Sequence, residues 1–327
     1  MKITKTKIDE RPLQQAGGFI MKIFGNGFYQ TFGAFILASS LIWVPQAEAA
    51  PQSKDQQKCL SSMGGYVTRI DTTQIRANQT CVKTEGKGKL DTSVADCLVA
   101  DSRGQMQKLS DKITEAQTDP DRGKCIGAAV PDFGYVPTGA AMVAAAQPPQ
   151  VAFIAAVYGD DPESVIVDSS DRANRSQALC QTTIEKSANK IVASEVKSFK
   201  SCMTRGLRSR TAPISDATEL AACSSDAKLI ERSDKDTTKL VDQIGKKCTE
   251  KSVDWATVVG GDCASEATPA AYASCIQTKA SCAACEIING GYDLAIDCDL
   301  HDNGAADGSC GDVPSTLGAF VDGPVLF

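Results

Sequence analysis

Apolar residues recur at helical spacing along two pairs of long segments. Between Cys180 and Cys202 they form one stripe, with lysines and small polar residues outside it: Ile184, Ala188, Ile191, Val192, Val196 and Phe199. A stripe of this width is typical of an amphipathic helix that buries one face. Between Cys223 and Cys248 a second stripe predicts a return helix: Leu229, Ile230, Leu240, Val241 and Ile244. One of the two serines before Asp226 is the expected N-cap of that helix.

The first half of the chain repeats this pattern less regularly. One stripe shares a face with Cys59 and Cys81: Met63, Tyr66, Val67, Ile70 and Ala77. Another stripe predicts a return helix that ends before Asp119-Pro120: Leu98, Met106, Leu109, Ile113 and Ala116. Gly64-Gly65 interrupts the start of the first helix, and we expect these glycines to weaken it.

Eight of the fourteen cysteines fall into two quartets with similar spacing. The steps between neighbours are 22, 16 and 28 residues in the first quartet and 22, 21 and 25 in the second. Twenty-two residues make about six helical turns, so the two cysteines of such a step lie near one face at opposite ends of a helix. In an antiparallel hairpin the inner cysteines meet at the turn and the outer cysteines at the open end, which predicts nested disulfides: Cys59–Cys125 around Cys81–Cys97, and Cys180–Cys248 around Cys202–Cys223. Four cysteines admit three connectivities, so other pairings stay open at this point.

These patterns predict a mainly α fold with two disulfide-stapled antiparallel helical hairpins, related by internal duplication, and a small cysteine-rich, loop-rich C-terminal module. The predicted parts are a first hairpin, a Pro- and Ala-rich linker, a second hairpin and the C-terminal module: 50–140, 141–173, 174–262 and 263–327. The prolines of the linker exclude one long helix. Val151–Tyr158 and Val165–Val167 are the segments of the chain whose composition is most typical of strands.

The first 49 residues are expected to be a signal peptide that is removed on export. Phe32–Val44 is an apolar run of signal-peptide length behind Lys22, and Ala47-Glu48-Ala49 is a small-x-small cleavage site. Met21 also opens a signal peptide of ordinary length, in which case residues 1–20 are an extension. An uncleaved anchor is the alternative, and after cleavage no membrane span is expected. An even number of cysteines in an exported chain predicts disulfides and an extracellular or periplasmic location.

Charge narrows the classes of partner. Removal of residues 1–49 leaves 37 acidic and 29 basic residues, a net charge of about −8. An acidic chain is repelled by phosphate, which argues against nucleic acid and anionic membranes as partners. The single histidine of the chain, His301, makes histidine-based catalysis and a histidine-rich metal site improbable.

The C-terminal module holds the other six cysteines: Cys263, Cys275, Cys282, Cys285, Cys298 and Cys310. Thr268-Pro269 predicts the start of a short helix, with the threonine as N-cap and the proline in the first turn. Cys282 and Cys285 form a CxxC motif, for which structural disulfides are the favoured interpretation. A redox pair would need a preceding strand, and a zinc site would need a second close pair; both stay as alternatives. The connectivity of these six cysteines is not predicted.

An Asp-rich loop lies between Cys298 and Cys310. Three of its residues fall at positions 1, 5 and 9 of the calcium-loop pattern: Asp299, Asn303 and Asp307. His301 stands at position 3 and Cys310 at position 12, where the pattern requires Asp or Asn and then Glu. We therefore expect an Asx-rich turn clamped by the flanking cysteines, with calcium binding as the alternative and no other cofactor.

No motif of an established catalytic class occurs in the sequence. GxSxG, HExxH and the phosphate-binding loop are all missing. A hydrolase that uses Asp297, Asp299 and Asp302 is a third-ranked hypothesis.

The C-terminal motifs resemble those of a group of exported proteins. The chain reads Cys282-Ala-Ala-Cys285, then Asp297-Cys298-Asp299-Leu300, then Asp302-Asn303-Gly304 and finally Gly308-Ser309-Cys310. This series is similar to the CxxC, CDxFDDG and SC motifs of exported cysteine-rich proteins of environmental bacteria, notably myxobacteria, which also carry repeated Cys-ended helices. His301 and Asn303 depart from the pattern, where an aromatic residue and an aspartate are usual. The resemblance implies export and disulfides but no activity.

The sequence therefore favours a secreted, non-enzymatic structural or interaction protein, such as a surface, matrix or filament component that self-assembles or contacts other cell-surface proteins. The alternative is an extracellular module that binds a small molecule or lipid, with Gly139–Tyr158 lining an apolar cavity between the hairpins.

Overall fold

The protein is described by a computed structural model that covers residues 51–310. The predicted signal peptide and the hydrophobic tail Val313–Phe327, which we expect to pack on the C-terminal module, lie outside these residues and stay predictions. Within 51–310 the chain forms eleven α-helices, five short 3₁₀ helices and no β-strand. The α-helices are α1 Lys54–Glu85, α2 Val94–Val99, α3 Gln105–Thr118, α4 Gly139–Ala146, α5 Pro148–Tyr158, α6 Pro162–Val165, α7 Arg175–Leu207, α8 Ala217–Ala221, α9 Ala227–Lys247, α10 Pro269–Tyr292 and α11 Cys298–Asn303.

The second hairpin has the predicted form. Helix α7 is 33 residues long, and α9 returns beside it over 21 residues. The disulfides Cys180–Cys248 and Cys202–Cys223 close the two ends, as nesting predicts. Asp226 itself is the N-cap of α9, because its side chain accepts a hydrogen bond from the Lys228 N–H. The prediction that one of the two preceding serines caps this helix is therefore wrong.

One residue of the predicted α9 stripe is misplaced. Leu229, Leu240 and Ile244 are buried, whereas 51% of Ile230 is exposed. Ile230 directly follows Leu229, and the 100° step between neighbours turns it away from the packed face.

The first hairpin follows the same plan with a broken return arm. Helix α1 spans 32 residues, and the nested pairs are Cys59–Cys125 and Cys81–Cys97. The predicted single return helix is wrong: α2 ends at Val99, and α3 starts after Gly104, whose φ of 60° no helix accommodates. The return arm ends at Thr118, before Asp119, as predicted.

Two glycines that sequence reasoning treats as a weakness play different parts in α1. A Cβ on Gly64 would lie 2.6 Å from the Tyr292 hydroxyl and 2.7 Å from Met203 Cε, whereas a Cβ on Gly65 meets nothing closer than 3.6 Å. Gly64 therefore allows α1 to approach α7 and the end of α10 closely.

The strand-like segments of the predicted linker are not strands. Val151–Tyr158 belongs to α5, Val165 ends α6, and the β-type contact is a single bridge between Tyr158 and Gly260. The apolar residues of Val151–Tyr158 fit a helix as well as a strand, because the core covers them on several sides. A proline at the helix start is also favourable. The expectation that no long helix crosses the linker holds, since α4 and α5 meet at Gln147.

Helix α10 lies at the centre of the described chain. Thr268 caps it, as predicted, but the helix runs for 24 residues where a short one was expected. It packs against α1, α4, α5, α7, α9 and α11. Two glycines near its end allow two of these contacts, because a Cβ on Gly290 would overlap Ala145 of α4 and one on Gly291 would overlap Val67 of α1.

The predicted segments share one hydrophobic core. Buried residues from both hairpins, from α4 and α5 and from α10 form a single cluster. The boundaries between the predicted parts stay predictions. Among the described residues, one helical segment is long and apolar enough to cross a membrane: Gly139–Tyr158. Buried core helices of soluble proteins meet the same criteria of length and composition. In this fold it contributes Met142, Phe153 and Ile154 to the core.

Candidate functional site

The CxxC motif anchors the chain that follows α10 to this helix. Cys285 is bonded to Cys298 at the start of α11, and Cys282 is bonded to Cys310. The remaining pair, Cys263–Cys275, ties the loop before α10 to the helix. The two CxxC sulfurs thus have separate partners, an arrangement that differs from a redox CxxC, whose cysteines pair with each other. The geometry matches the structural interpretation.

The calcium candidates lie together, but their oxygens already serve the loop. Asp299 accepts hydrogen bonds from the backbone N–H groups of Gly308 and Cys310, and Asp307 accepts one from the Asn303 side-chain amide. The bond from Gly308 is the main reason that the pKa of Asp299 lies below its ordinary value. A calcium ion needs six to eight convergent oxygens, so this set fits an Asx-rich turn better than a calcium loop.

A second possible metal group contains two cysteines and an aspartate. One ligand atom each of Cys282, Asp302 and Cys310 lies within 4.8 Å of the others. The two sulfurs are joined to each other in a disulfide, and a metal needs thiolates. The group therefore does not fit a metal centre while this disulfide is intact.

The three aspartates of the hydrolase hypothesis also serve local structure. Asp297 caps α11 by accepting from the N–H groups of Asp299 and Leu300. Asp302 accepts from the Ser309 hydroxyl. Asp299 and Asp302 share one hydrogen-bond donor, the Ser309 hydroxyl, which lies 3.3 Å from Asp299. The other donors to the three carboxylates are all different.

His301 faces a buried carboxylate that sequence analysis missed. Its Nε2 lies 3.7 Å from Oε2 of Glu195 on α7, and 5% and 1% of the two side chains are exposed. Ser233 of α9 and Ser281 of α10 donate hydrogen bonds to the other oxygen, Oε1, of Glu195. Both hydroxyls thus point to the carboxylate and not to the imidazole. The cluster has the residue types of a catalytic triad without its connectivity, and it is closed to substrate.

Other buried polar groups join the long helices. The Tyr158 hydroxyl donates to Glu185 of α7 over 3.1 Å, and burial raises the pKa of Glu185 to about 7. Asp71 of α1 is fully buried, neither of its carboxyl oxygens has a hydrogen-bond partner among the described residues, and burial raises its pKa to about 7. The sequence signal for these residues is weak: each is a charged residue beside an apolar stripe.

A chain of buried amides connects the two hairpins through α5. The Asn78 side chain of α1 donates to the Gln150 carbonyl, and the Gln150 side chain donates to Asn189 of α7. Gln74 extends the chain by donating to Asn78 and to the Leu98 carbonyl. Buried polar contacts of this kind fix how helices meet, because each unmatched group would cost about 1–3 kcal/mol.

Two of the grooves on the described part of the chain are open to solvent. The larger, about 870 Å³, runs along the start of α1 and the loop after α3. Its basic residues are Lys58, Lys124 and Arg208, and Lys58 is paired with Asp55 at 2.8 Å. The smaller, about 460 Å³, lies between α5 and α10, and we call it the α5–α10 groove. Apolar residues line one wall of it: Pro149, Ala152, Phe153, Ala155 and Ala156. The half-buried Glu286 faces this groove, and burial raises its pKa to about 7.

Comparisons of this chain with protein-family models, with curated proteins and with solved structures give no match. The resemblance to exported cysteine-rich bacterial proteins therefore stays a prediction.

Proposed function

We propose that the protein is a secreted, non-enzymatic structural or interaction protein: a disulfide-stabilised scaffold that assembles with itself or with other cell-surface proteins. The observation that carries this proposal is the placement of the seven disulfides. Each of the four longest helices, α1, α7, α9 and α10, is held at or near one or both of its ends by a disulfide. Such cross-links stabilise a fold by about 3–4 kcal/mol each in the chain-entropy account.

Disulfides in this number are typical of extracellular and periplasmic proteins, because the cytosol keeps thiols reduced. All fourteen cysteines are paired. We propose that export follows the Sec-type signal peptide with cleavage near Ala49.

The burial and the hydrogen bonding of the polar clusters support a non-enzymatic role. The Glu195–His301 cluster is sealed from solvent, and the aspartates of the C-terminal loop accept hydrogen bonds from their own loop. A catalytic group must reach a substrate, and these groups are committed elsewhere.

Light scattering coupled to size-exclusion chromatography tests assembly directly. We expect the mature protein, purified with its disulfides intact, to form oligomers whose mass rises with concentration. The same series is run with calcium and with a chelator, and a reduced, alkylated sample controls for nonspecific aggregation. A strictly monomeric species at high concentration in both conditions would contradict the proposal.

The α5–α10 groove favours a second candidate function, binding of a small molecule or lipid. Its apolar wall is formed by α5, part of the segment that sequence analysis assigns to a cavity. Native mass spectrometry of the protein isolated from its source is expected to reveal a co-purified ligand. A ligand-free mass in repeated preparations would count against this candidate and leave the scaffold proposal untouched.

A further inference from the structure

The α5–α10 groove has the size and the two-sided chemistry of a ligand site. Its volume of about 460 Å³ lies within the range of about 300–1,000 Å³ that is usual for small-molecule pockets. One side is the apolar wall of α5. The other side carries the polar groups of α10 and of the chain near Cys310.

The end of the groove is fixed by close backbone packing. Gly261 has a φ of 72°, and a Cβ there would lie 2.4 Å from the Ala155 carbonyl oxygen. The neighbouring Gly260 N–H donates to the Val157 carbonyl over 2.9 Å. The loop that holds both glycines therefore lies directly against α5 and forms part of the groove lining.

Acidic groups outnumber basic groups in the lining of the groove. Asp160 follows α5, Asp262 lies on the loop after Gly261, and Lys279 and Glu286 lie on α10. Lys279 is already engaged, because its Nζ lies 3.6 Å from Asp262 and 3.2 Å from the Ser309 carbonyl oxygen. Asp160 and Glu286 have no cation to neutralise them within residues 51–310.

Glu286 is the group in the groove that a cationic ligand would supply with an ion-pair partner. Its carboxyl has no protein partner in the part of the chain that the structure describes, and loss of water alone raises its pKa to about 7. A cation brought next to such a carboxyl favours the ionised form and makes a charge-assisted hydrogen bond with it. An anionic ligand would instead meet a second negative charge.

We propose that the α5–α10 groove binds an organic cation with an apolar body, which packs against Ala152 and Phe153 while its ammonium group pairs with Glu286. This inference rests on the second candidate function and specifies its ligand. It is independent of assembly.

Three probes with the same chain and different head groups test the proposal: octylamine, octanol and octanoate. Each is titrated calorimetrically into the mature full chain at pH 8, where the amine is protonated and the Glu286 carboxyl is mostly ionised. We expect octylamine to bind at least about tenfold more tightly than octanol, since a hydrogen bond to a charged group contributes that much, and octanoate to bind least.

Two variants with matched controls identify the site. Glu286→Gln is expected to weaken octylamine binding about tenfold or more and to leave octanol unchanged, whereas Glu231→Gln, on an exposed position of α9, changes neither. Ala152→Leu fills the apolar wall and is expected to abolish binding of all three probes, whereas Ala270→Leu, at an exposed position of α10, does not. Circular dichroism verifies that each variant is folded.

The outcomes separate the ligand class from the binding function. Equal affinity for octylamine and octanol, or an unchanged affinity in Glu286→Gln, would overturn the cation assignment and leave a binding module for uncharged ligands. Absence of binding for all three probes would overturn both. The scaffold proposal is judged separately, by light scattering.

Discussion

The two hairpins share a disulfide plan and differ in what lies between the disulfides. Their outer pairs are 66 and 68 residues apart and their inner pairs 16 and 21. In the second hairpin α9 runs unbroken beside α7, whereas in the first the return arm bends at Gly104 into α2 and α3. Equal cross-links thus produce unequal arms. The disulfides fix where the ends meet, and the residues between them decide whether the arm is one helix.

The outgoing helices differ in how they hold buried charge. On α7, Glu185 is hydrogen-bonded to Tyr158, and Glu195 to Ser233 and Ser281. On α1, Asp71 is equally buried and its carboxyl has no hydrogen-bond partner among the described residues. Each buried carboxylate of α7 therefore has one hydrogen-bonded oxygen and one without a partner among the described residues, whereas both oxygens of Asp71 lack one.

Removal of an outer disulfide is the largest expected effect. Two double variants test this: Cys59→Ala/Cys125→Ala and Cys180→Ala/Cys248→Ala. Each opens a closed loop of nearly the same length and so increases the conformational entropy of the unfolded chain by nearly the same amount. We expect each double variant to lose about 4 kcal/mol of unfolding free energy, with less than about 1 kcal/mol between them. Guanidinium denaturation of both variants measures this. A difference above about 2 kcal/mol would show that packing, and not loop closure, dominates one hairpin.

The unpartnered carboxyl of Asp71 gives the first hairpin a pH dependence. Its pKa is about 7 when folded and 3.8 when exposed, so the folded chain holds the proton more tightly. Stability from this group is therefore greatest below about pH 4, falls as the pH rises from about 4 to about 7, and stays low above that. Asp71→Asn removes the charge, and we expect a gain of about 2–4 kcal/mol at pH 8 and almost none at pH 4.

Urea denaturation at pH 4, 6 and 8 tests this expectation. Asp242→Asn, at an exposed position of α9, is the control and is expected to change stability by less than about 0.5 kcal/mol at each pH. A residual slope of stability with pH is expected in Asp71→Asn, because the pKa values of Glu185 and Glu286 are raised as well. A loss of stability in Asp71→Asn at pH 8 would refute the assignment.

Adjacent glycines of α1 separate helix propensity from packing. Gly64→Ala places a methyl group against Tyr292 and Met203, and we expect it to destabilise the protein by about 1–2 kcal/mol. Gly65→Ala meets only the end of the Lys200 side chain, at an ordinary contact distance of 3.6 Å, and is expected to stabilise the protein by up to about 1 kcal/mol. Thermal unfolding of the two variants in parallel gives the comparison. A gain of stability in both variants would mean that α1 does not approach α7 and α10 as closely as described.

The smallest effect distinguishes the two return arms. Gly104→Ala forces an alanine into a left-handed conformation, and we expect a loss of about 1 kcal/mol. Gly245→Ala in α9 has helical backbone and no neighbour within 4 Å, so a gain of about 0.5–1 kcal/mol is expected. The same substitution thus has opposite signs in the two arms. Thermal unfolding measures both shifts, and an equal gain in both would show that the bend is not needed.

The parts that the sequence predicts well are those with one apolar face. Helices α1, α7 and α9 lie against the core on one side, so their stripes are visible and their lengths set which cysteines meet. Helix α5 offers no such contrast, because Val151, Phe153, Ile154 and Val157 are all buried and read equally well as a strand. Helix α10 is surrounded by six helices, and apolar and small residues all around it hide its length.

The site residues depend on contacts that local sequence does not record. Glu195 and His301 are 106 positions apart, and Glu286 meets the α5 wall across the fold. The calcium candidates stay a prediction for a related reason: the spacing places Asp299, Asn303 and Asp307 together, but Asp299 accepts from a backbone N–H of the loop and Asp307 from the Asn303 side-chain amide. Spacing predicts which groups can meet, and competition for hydrogen bonds decides what they hold.

The disulfides divide the described chain into three cross-linked blocks, 59–125, 180–248 and 263–310, and only the backbone joins one block covalently to the next. A backbone cut between residues 172 and 175 would therefore yield two fragments that detergent separates without any reductant. A cut in the loop between α7 and α8 would release nothing. Reductants and proteases consequently probe different properties: cross-links protect each block, and only packing and the buried amides keep the blocks together.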